Sequence, residues 1–154
     1  MRPAAAAGER RLALTEPLCP DAEPAGPESR QADLAAFARS LYKNRRRRDE
    51  LMPAKLFGEP AWDILLDLFA QDCAGRETSV ISACIAAAAP QTTALRYIGR
   101  LAASGLVRRL PVPSDRRRTL LRLTPKGRAA VTLVLKELSA ACIDGGRSRN
   151  RSPG

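Results

Sequence analysis

Residues 91–104 carry a helical hydrophobic period and lie between two helix-breaking residues, Pro90 and Gly105. Glycine directly after a last helical turn adopts the left-handed conformation that closes a helix. Two short β-prone runs follow at once, residues 106–110 and 119–123, joined by a basic stretch. The apolar residues of the helix recur at spacings that predict an inward face: Leu95, Ile98, Leu101 and Ala102. A helix leading straight into a β-hairpin is therefore the feature that most restricts the fold.

Two longer helical stretches come earlier in the chain. The first is expected to begin after Asp33 as N-cap and to continue through residues 45–48 until Pro53. Its apolar face holds Leu34, Phe37, Ala38 and Leu41, and its charge run offers the pairs Arg45 with Asp49 and Arg46 with Glu50. The second is expected to open at Pro60 and to end at Gly75, with Trp62, Leu65, Leu66 and Phe69 in the core.

Two further helices complete the pattern. Thr78 or Ser79 is a suitable cap for a short helix whose inward residues are expected to be Val80, Ile81, Cys84 and Ile85. Thr124 and Pro125 form an N-cap and first-turn pair for the last helix. Its inward side is expected to hold Val131, Val134 or Leu135, Leu138 and Ala141.

The order of these elements defines a fold class. Helix, helix, short helix, tight break, helix, β-hairpin and helix is the order of a winged helix-turn-helix, a mainly α (α+β) fold, with flanking N- and C-terminal helices. The structured unit is expected to span residues 31–142. Residues 1–30 and 143–154 are rich in Pro, Gly, Ser or charged residues without hydrophobic period, and we expect them to be disordered.

The charge of the chain points to an anionic partner. Lys and Arg number 26 against 16 Asp and Glu, a formal net charge of +10, and residues 31–142 alone hold 19 basic and 10 acidic groups. Arginine dominates, and its guanidinium grips phosphate and guanine edges in two-point contacts. Membranes and acidic proteins are other partners open to a basic chain. Nothing in the sequence approaches the length of an apolar membrane span, so no membrane partner is expected.

The outward side of the helix at 91–104 has the residues of a DNA-reading surface. Thr93, Arg96 and Arg100 form one row, with Thr92 and Tyr97 beside them. In a major groove, arginine pairs with guanine and a threonine methyl meets a thymine methyl. We expect Thr92, Thr93 and Arg96 to read bases, and Arg100, one turn on, to contact phosphate. An ordinary solvated face is the alternative for the arginines.

The hairpin connection is equally basic. Asp115, Arg116, Arg117 and Arg118 lie at or beside its tip, where they are expected to enter a minor groove or to straddle phosphates. Asp115 is expected to hold Arg117, although a simple surface ion pair would explain the same residues. The run Arg45 to Arg48 is open to three interpretations: a phosphate contact, an RNA-binding patch or a solvated face. The solvated face and the phosphate contact are favoured equally.

Four segments resemble the MarR-type family of transcriptional regulators. They are the helix start at 91–96, the stretch LAASGLV at 101–107, residues 113–118 of the wing and residues 123–127 after it. The resemblance covers residues 34–142. It implies a homodimer built from the terminal helices, bound to pseudo-palindromic DNA, with Asp115 and Arg117 matching the family's wing pair. No residues of a distinctive effector pocket are visible, and the small-molecule effector is left unknown.

Other function classes find little support. The chain has no histidine, and Cys19, Cys73, Cys84 and Cys142 are too widely spaced for a metal site, so no metal or cofactor is expected. Without an imidazole, a phosphate loop or a paired-carboxylate pattern, enzymatic activity is not expected. Cys73 and Cys84 fall in apolar contexts that favour packing over oxidant sensing.

The sequence therefore predicts a sequence-specific regulator of transcription that binds double-stranded DNA as a homodimer in the bacterial cytoplasm, at the nucleoid. The alternative is a winged-helix interaction module for a protein partner or structured RNA.

Overall fold

The computed structural model describes residues 26–52 and 57–147, so most of the two expected disordered segments lies outside the described residues. It confirms the predicted winged helix-turn-helix, mainly α, with flanking helices and with one strand more than expected. No helix in these ranges has the length and apolar character to cross a bilayer. The elements in chain order are α1 Pro27–Leu51, α2 Pro60–Cys73, β1 Thr78–Ser79, α3 Val80–Ala86, α4 Gln91–Ala103, β2 Val107–Val112, β3 Asp115–Leu123 and α5 Pro125–Arg147.

Both terminal helices are longer than predicted. Helix α1 starts at Pro27, with Gly26 as N-cap, so the expected N-cap at Asp33 is wrong. Proline at the first helical position and Glu28 in the first turn favour this earlier start. Helix α5 likewise continues beyond residue 142. In both cases the apolar face marks the packed part of the helix rather than its full length.

The other helix boundaries follow the predicted signals. Pro60 stands in the first turn of α2, and Gly75, with a φ of +67°, follows its end. Ser79 caps α3, its hydroxyl accepting the Ser82 N–H at 3.0 Å. The turn between α3 and α4 contains Ala88 with a φ of +44°, a left-handed conformation that makes the turn tight.

The sheet has three antiparallel strands in the order β1-β3-β2. Strands β2 and β3 are longer than the predicted runs, which leaves only residues 113 and 114 between them. Their pairing begins at Val107 opposite Leu123, and a register shift at Pro111 and Val112 precedes the tip. The two residues of β1 pair with Leu121 and Leu120.

Several residues expected inside are exposed. Ile81 and Ile85 are 66% and 75% exposed, and Leu95 is 38% exposed. In α3 the inward positions belong to small residues, Ala83, Cys84 and Ala86, which let the short helix pack closely on α2 and α4. In α4 the buried row is Ala94, Ile98 and Leu101, so Leu95 falls outside it. In α5 Val131 and Leu135 are buried, whereas Val134 and Leu138 are exposed.

Helices α1 and α2 are joined through a buried carboxylate. Asp63 is fully buried, and its two oxygens accept hydrogen bonds from Arg45 Nε and Arg46 Nη2, both at 2.6 Å. Arg45 also reaches Glu59 at 3.1 Å. Two cations close to one buried anion offset the cost of burying it. Arg45 and Arg46 therefore form an internal clamp on Asp63. For these two residues neither favoured interpretation of the run, a solvated face or a phosphate contact, is correct.

The remaining charges of this run also pair differently from the prediction. Arg46 contacts Asp49 at 3.4 Å and Arg47 contacts Glu50 at 3.1 Å, each three residues apart. The predicted pairs at four-residue spacing are wrong, because Arg45 and Arg46 turn toward Asp63 on α2.

The end of α4, the start of β2 and the start of α5 meet at one junction. Gly105, with a φ of +70°, follows α4, and its carbonyl accepts the Thr124 hydroxyl at 2.6 Å. The same hydroxyl oxygen accepts the Gly127 N–H at 3.0 Å, which makes Thr124 the predicted N-cap of α5. Lys126 Nζ donates to the Ser104 carbonyl at 3.0 Å. This junction, residues 104–106 with 124–127, fixes the wing relative to α4.

Replacing Gly127 by alanine is expected to destabilise the protein by about 1–3 kcal/mol or more. A Cβ at this position would lie 1.9 Å from the Leu106 carbonyl oxygen, so the backbone must move. Gly99→Ala is the matched control. A Cβ there meets nothing within 4 Å, and alanine in a helix is preferred over glycine by about 0.8–1 kcal/mol. In urea unfolding, the midpoint concentration should fall for Gly127→Ala and rise for Gly99→Ala. An unchanged midpoint for Gly127→Ala would contradict the close packing of Gly127 against Leu106 at the junction.

Replacing Asp63 by asparagine is expected to cost about 3–5 kcal/mol, because two largely buried guanidinium groups would lose the buried carboxylate that they share. Glu50→Gln removes the same charge from an exposed pair and is expected to cost about 0–1 kcal/mol. Thermal unfolding of both variants measures the difference. Equal effects would show that the clamp contributes no more than a surface pair.

Candidate nucleic-acid interface

Most of the predicted outward row of α4 stands free of the core. Thr92, Arg96 and Arg100 are exposed, while Thr93 is half-buried. The helix is held from behind by Ala94, Ile98 and Leu101, which pack into the core cluster. This arrangement presents the predicted row as one edge of a rigid helix.

Tyr97 organises the two arginines of the row. The guanidinium carbon of Arg96 lies 5.9 Å from the centre of the Tyr97 ring, and that of Arg100 lies 5.6 Å from it. Contacts of this kind contribute about 0.5–1 kcal/mol at exposed sites. The two cations therefore flank one aromatic ring, and Tyr97 restricts their directions more than a bare helix would.

Leu95 adds an apolar group beside this row. It lies next to Arg96 and is partly exposed, contrary to the inward position expected from the sequence. The sequence does contain the correct signal, because Ala94, Ile98 and Leu101 already form a complete i, i+4, i+7 row. Small alanines are weak markers of a core, which is why the sequence pattern favours the larger leucine as the inward residue.

At the wing tip, Asp115 accepts the backbone N–H of Arg117 at 3.0 Å. The carboxylate therefore holds Arg117 through its backbone amide, which fixes the turn. The Arg117 side chain is exposed. Arg116 lies in β3, but its side chain lies outside the described residues.

Arg118 has an acidic neighbour that the sequence did not suggest. Glu77, just before β1, contacts Arg118 at 3.6 Å and Arg122 at 3.3 Å. Arg108 lies opposite Arg122 across the β2 and β3 pairing. These contacts depend on the short strand β1, which two residues of sequence are too few to predict.

An open groove of about 540 Å³ runs between α3 and the wing. Cations and one carboxylate line it together with apolar residues of α3; the lining includes Ile81, Arg109, Asp115, Arg117 and Arg118. Strand β1 next to β3 brings the start of α3 to this side of the wing. The groove is therefore bordered by positive charge along the wing.

Charge is concentrated in this part of the chain. Residues 76–127 contain ten Lys and Arg against only Glu77 and Asp115 as acids, so they account for +8 of the net +10. A dense cationic surface on one structural unit attracts polyanions at long range.

Three of the cysteines lie within the described residues: Cys73, Cys84 and Cys142. Cys84 is buried, and burial raises the pKa of its thiol above the ordinary value of 9.0, as expected for a packing residue. Cys142 is exposed on α5. Within the described ranges, no group of three or more Cys, Asp or Glu side chains is arranged to hold a metal ion.

Comparison with known proteins identifies the unit that carries this surface. Residues 76–127 match the family model described as a winged helix DNA-binding domain. No curated protein matches the sequence. The transcriptional regulator Tm0710 from Thermotoga maritima is 20% identical, with 78% of this chain and 77% of that chain covered and a TM-score of 0.50.

Two other solved structures are similar at lower scores. AF1382 from Archaeoglobus fulgidus is 19% identical, covers 61% of this chain and 96% of its own, and has a TM-score of 0.49. The apo form of wild-type MarR from E. coli is 20% identical, with 80% and 78% covered and a TM-score of 0.45. At 20% identity, the likeness to Tm0710 is evidence of a shared fold alone.

Proposed function

Since residues 76–127 are a winged helix DNA-binding domain within a fold of the MarR-type regulators, we propose that the protein is a sequence-specific DNA-binding regulator of transcription. One observation carries the proposal. The exposed threonine and arginine row of α4 lies on the same domain as an arginine-rich wing, and that domain holds nearly all of the net charge. The regulator acts by binding rather than by catalysis.

Helix α4 enters the major groove. Thr92 and Arg96 are exposed near its first turns and read base edges, with the half-buried Thr93 beside them. Arg100 lies one turn further and contacts phosphate. Leu95, exposed next to Arg96, adds an apolar surface suited to a thymine methyl.

The wing contacts the neighbouring minor groove or its backbone. The Asp115 carboxylate holds the turn at the Arg117 N–H, which presents residues 116–118 from a fixed tip. Arginine side chains are the usual partners of a narrow, strongly negative minor groove.

A homodimer places two such domains on one duplex. Leu133, Val134 and Leu138 are exposed on α5, an apolar row that a second copy would cover. An apolar groove of about 460 Å³ between Leu34 and Phe37 of α1 and Lys136 of α5 adjoins this face. The dimer binds two inverted half-sites, and the DNA of the cytoplasm is its target.

An interaction module remains a second candidate on a specific observation. Ile81 and Ile85 form an exposed apolar row on α3, which suits a protein partner. DNA binding weakens steeply as salt rises, and specific sites remain tighter than random ones. If the protein bound duplexes with no steep salt dependence and no preference for specific sites, the interaction module would be favoured.

Arg96→Ala is expected to cost about 1–3 kcal/mol of binding free energy and to relax preference at particular bases, since a two-point guanine contact is lost. Binding-site selection from a random duplex library, followed by affinity measurement on the selected site, tests this. The wild-type sites should contain inverted half-sites about 10–10.5 base pairs apart.

Arg39→Ala is the control, because it removes the same charge from an exposed position on α1. It should leave the selected sequence unchanged. An Arg96→Ala protein with wild-type affinity and the wild-type selected sequence would rule out base reading by α4.

A further inference from the structure

Glu77 is an acidic residue that contacts two of the wing arginines, Arg118 and Arg122. Its two carboxylate oxygens are divided between two cations, with Oε2 3.6 Å from Arg118 Nη2 and Oε1 3.3 Å from Arg122 Nη2. All three side chains are about half exposed. One anion thus occupies two arginines that an approaching phosphate would otherwise meet.

The strand register fixes this position. Thr78 pairs with Leu121, so Glu77, one residue earlier, lies level with Arg122, one residue later. Arg108 stands opposite Arg122 on the other neighbouring strand. Like charges directly opposite each other repel, and Glu77 is the acid that compensates this pair.

A backbone phosphate can replace the Glu77 carboxylate at these arginines with little change in free energy. A carboxylate and a phosphate both accept hydrogen bonds from guanidinium, and an exposed ion pair at these distances is weak. Glu77 therefore keeps hold of the two arginines in part of the complexes, and in those complexes the duplex loses two phosphate contacts. This loss weakens the binding of every duplex, whatever its sequence.

We propose that Glu77 sets the DNA affinity of this domain by competing with backbone phosphates for Arg118 and Arg122. The inference rests on the proposed DNA-binding function and adds a residue that lowers affinity without reading sequence. Glu77 acts through the two arginines and does not itself contact DNA.

The test is Glu77→Gln in the full-length protein, titrated with a fluorescent duplex of mixed sequence over a range of salt concentrations. Two freed arginines should tighten binding roughly threefold to tenfold and steepen the plot of log affinity against log salt by about 1–2, since each phosphate contact contributes about 0.9. On an Arg122→Gln background the same change should have a smaller effect.

Glu137→Gln is the matched control. Glu137 is exposed on α5, and within the described part of the chain it forms no ion pair, so this change alters net charge equally and frees no wing arginine. Its salt slope should equal that of the wild type. Thermal unfolding of each variant separates effects on folding from effects on binding.

Equal slopes for Glu77→Gln and Glu137→Gln would overturn the inference, and so would weaker binding by folded Glu77→Gln, which would make Glu77 a support for the arginines. A wild-type protein that binds no duplex in a salt-dependent way would instead overturn the proposed function.

Discussion

The junction of Gly105, Thr124 and Gly127 is the constraint on which the proposed DNA-binding surface depends. Gly105 turns the chain out of α4 in a left-handed conformation, and the Thr124 hydroxyl both donates to its carbonyl and caps α5. Gly127 leaves room for the Leu106 carbonyl, which any side chain would strike. Because α4 and the wing leave from the same point, their separation is set by backbone geometry and does not rely on side-chain packing at the surface.

A second layer of contacts ties this unit to the rest of the chain. Asp63 joins α1 to α2 through Arg45 and Arg46, and the Tyr42 hydroxyl of α1 donates to the Ala86 carbonyl at the end of α3 at 3.1 Å. Helix α1, which borders the proposed dimer face, is thus bonded directly to the helix-turn-helix. A movement of α1 would therefore pull on the end of α3, just before the turn to α4, through the hydrogen bond from Tyr42 to Ala86.

The sequence predicts the fold well where backbone conformation sets the boundaries of the helices and strands. Breakers and caps such as Pro60, Ser79 and Gly105 marked true boundaries, and the order of elements identified the winged helix. Side-chain partners were harder, because Asp63 and Glu77 meet their arginines only after distant segments pack. The burial pattern misled where alanines fill the core, as with Ala94 in place of Leu95. The site residues of α4 and the wing remain a prediction that rests on exposure and charge.

The most direct measurement of the central claim is a nuclear magnetic resonance titration of the protein with its selected duplex, following backbone amides and arginine Nε–H groups. If α4 and the wing bind the duplex together, the largest chemical-shift changes should occur at Thr92, Arg96 and Arg117. These changes should reach completion at the same protein-to-DNA ratio, because both elements are fixed at one junction. Shifts confined to α1 and α5, with α4 and the wing unchanged, would contradict it.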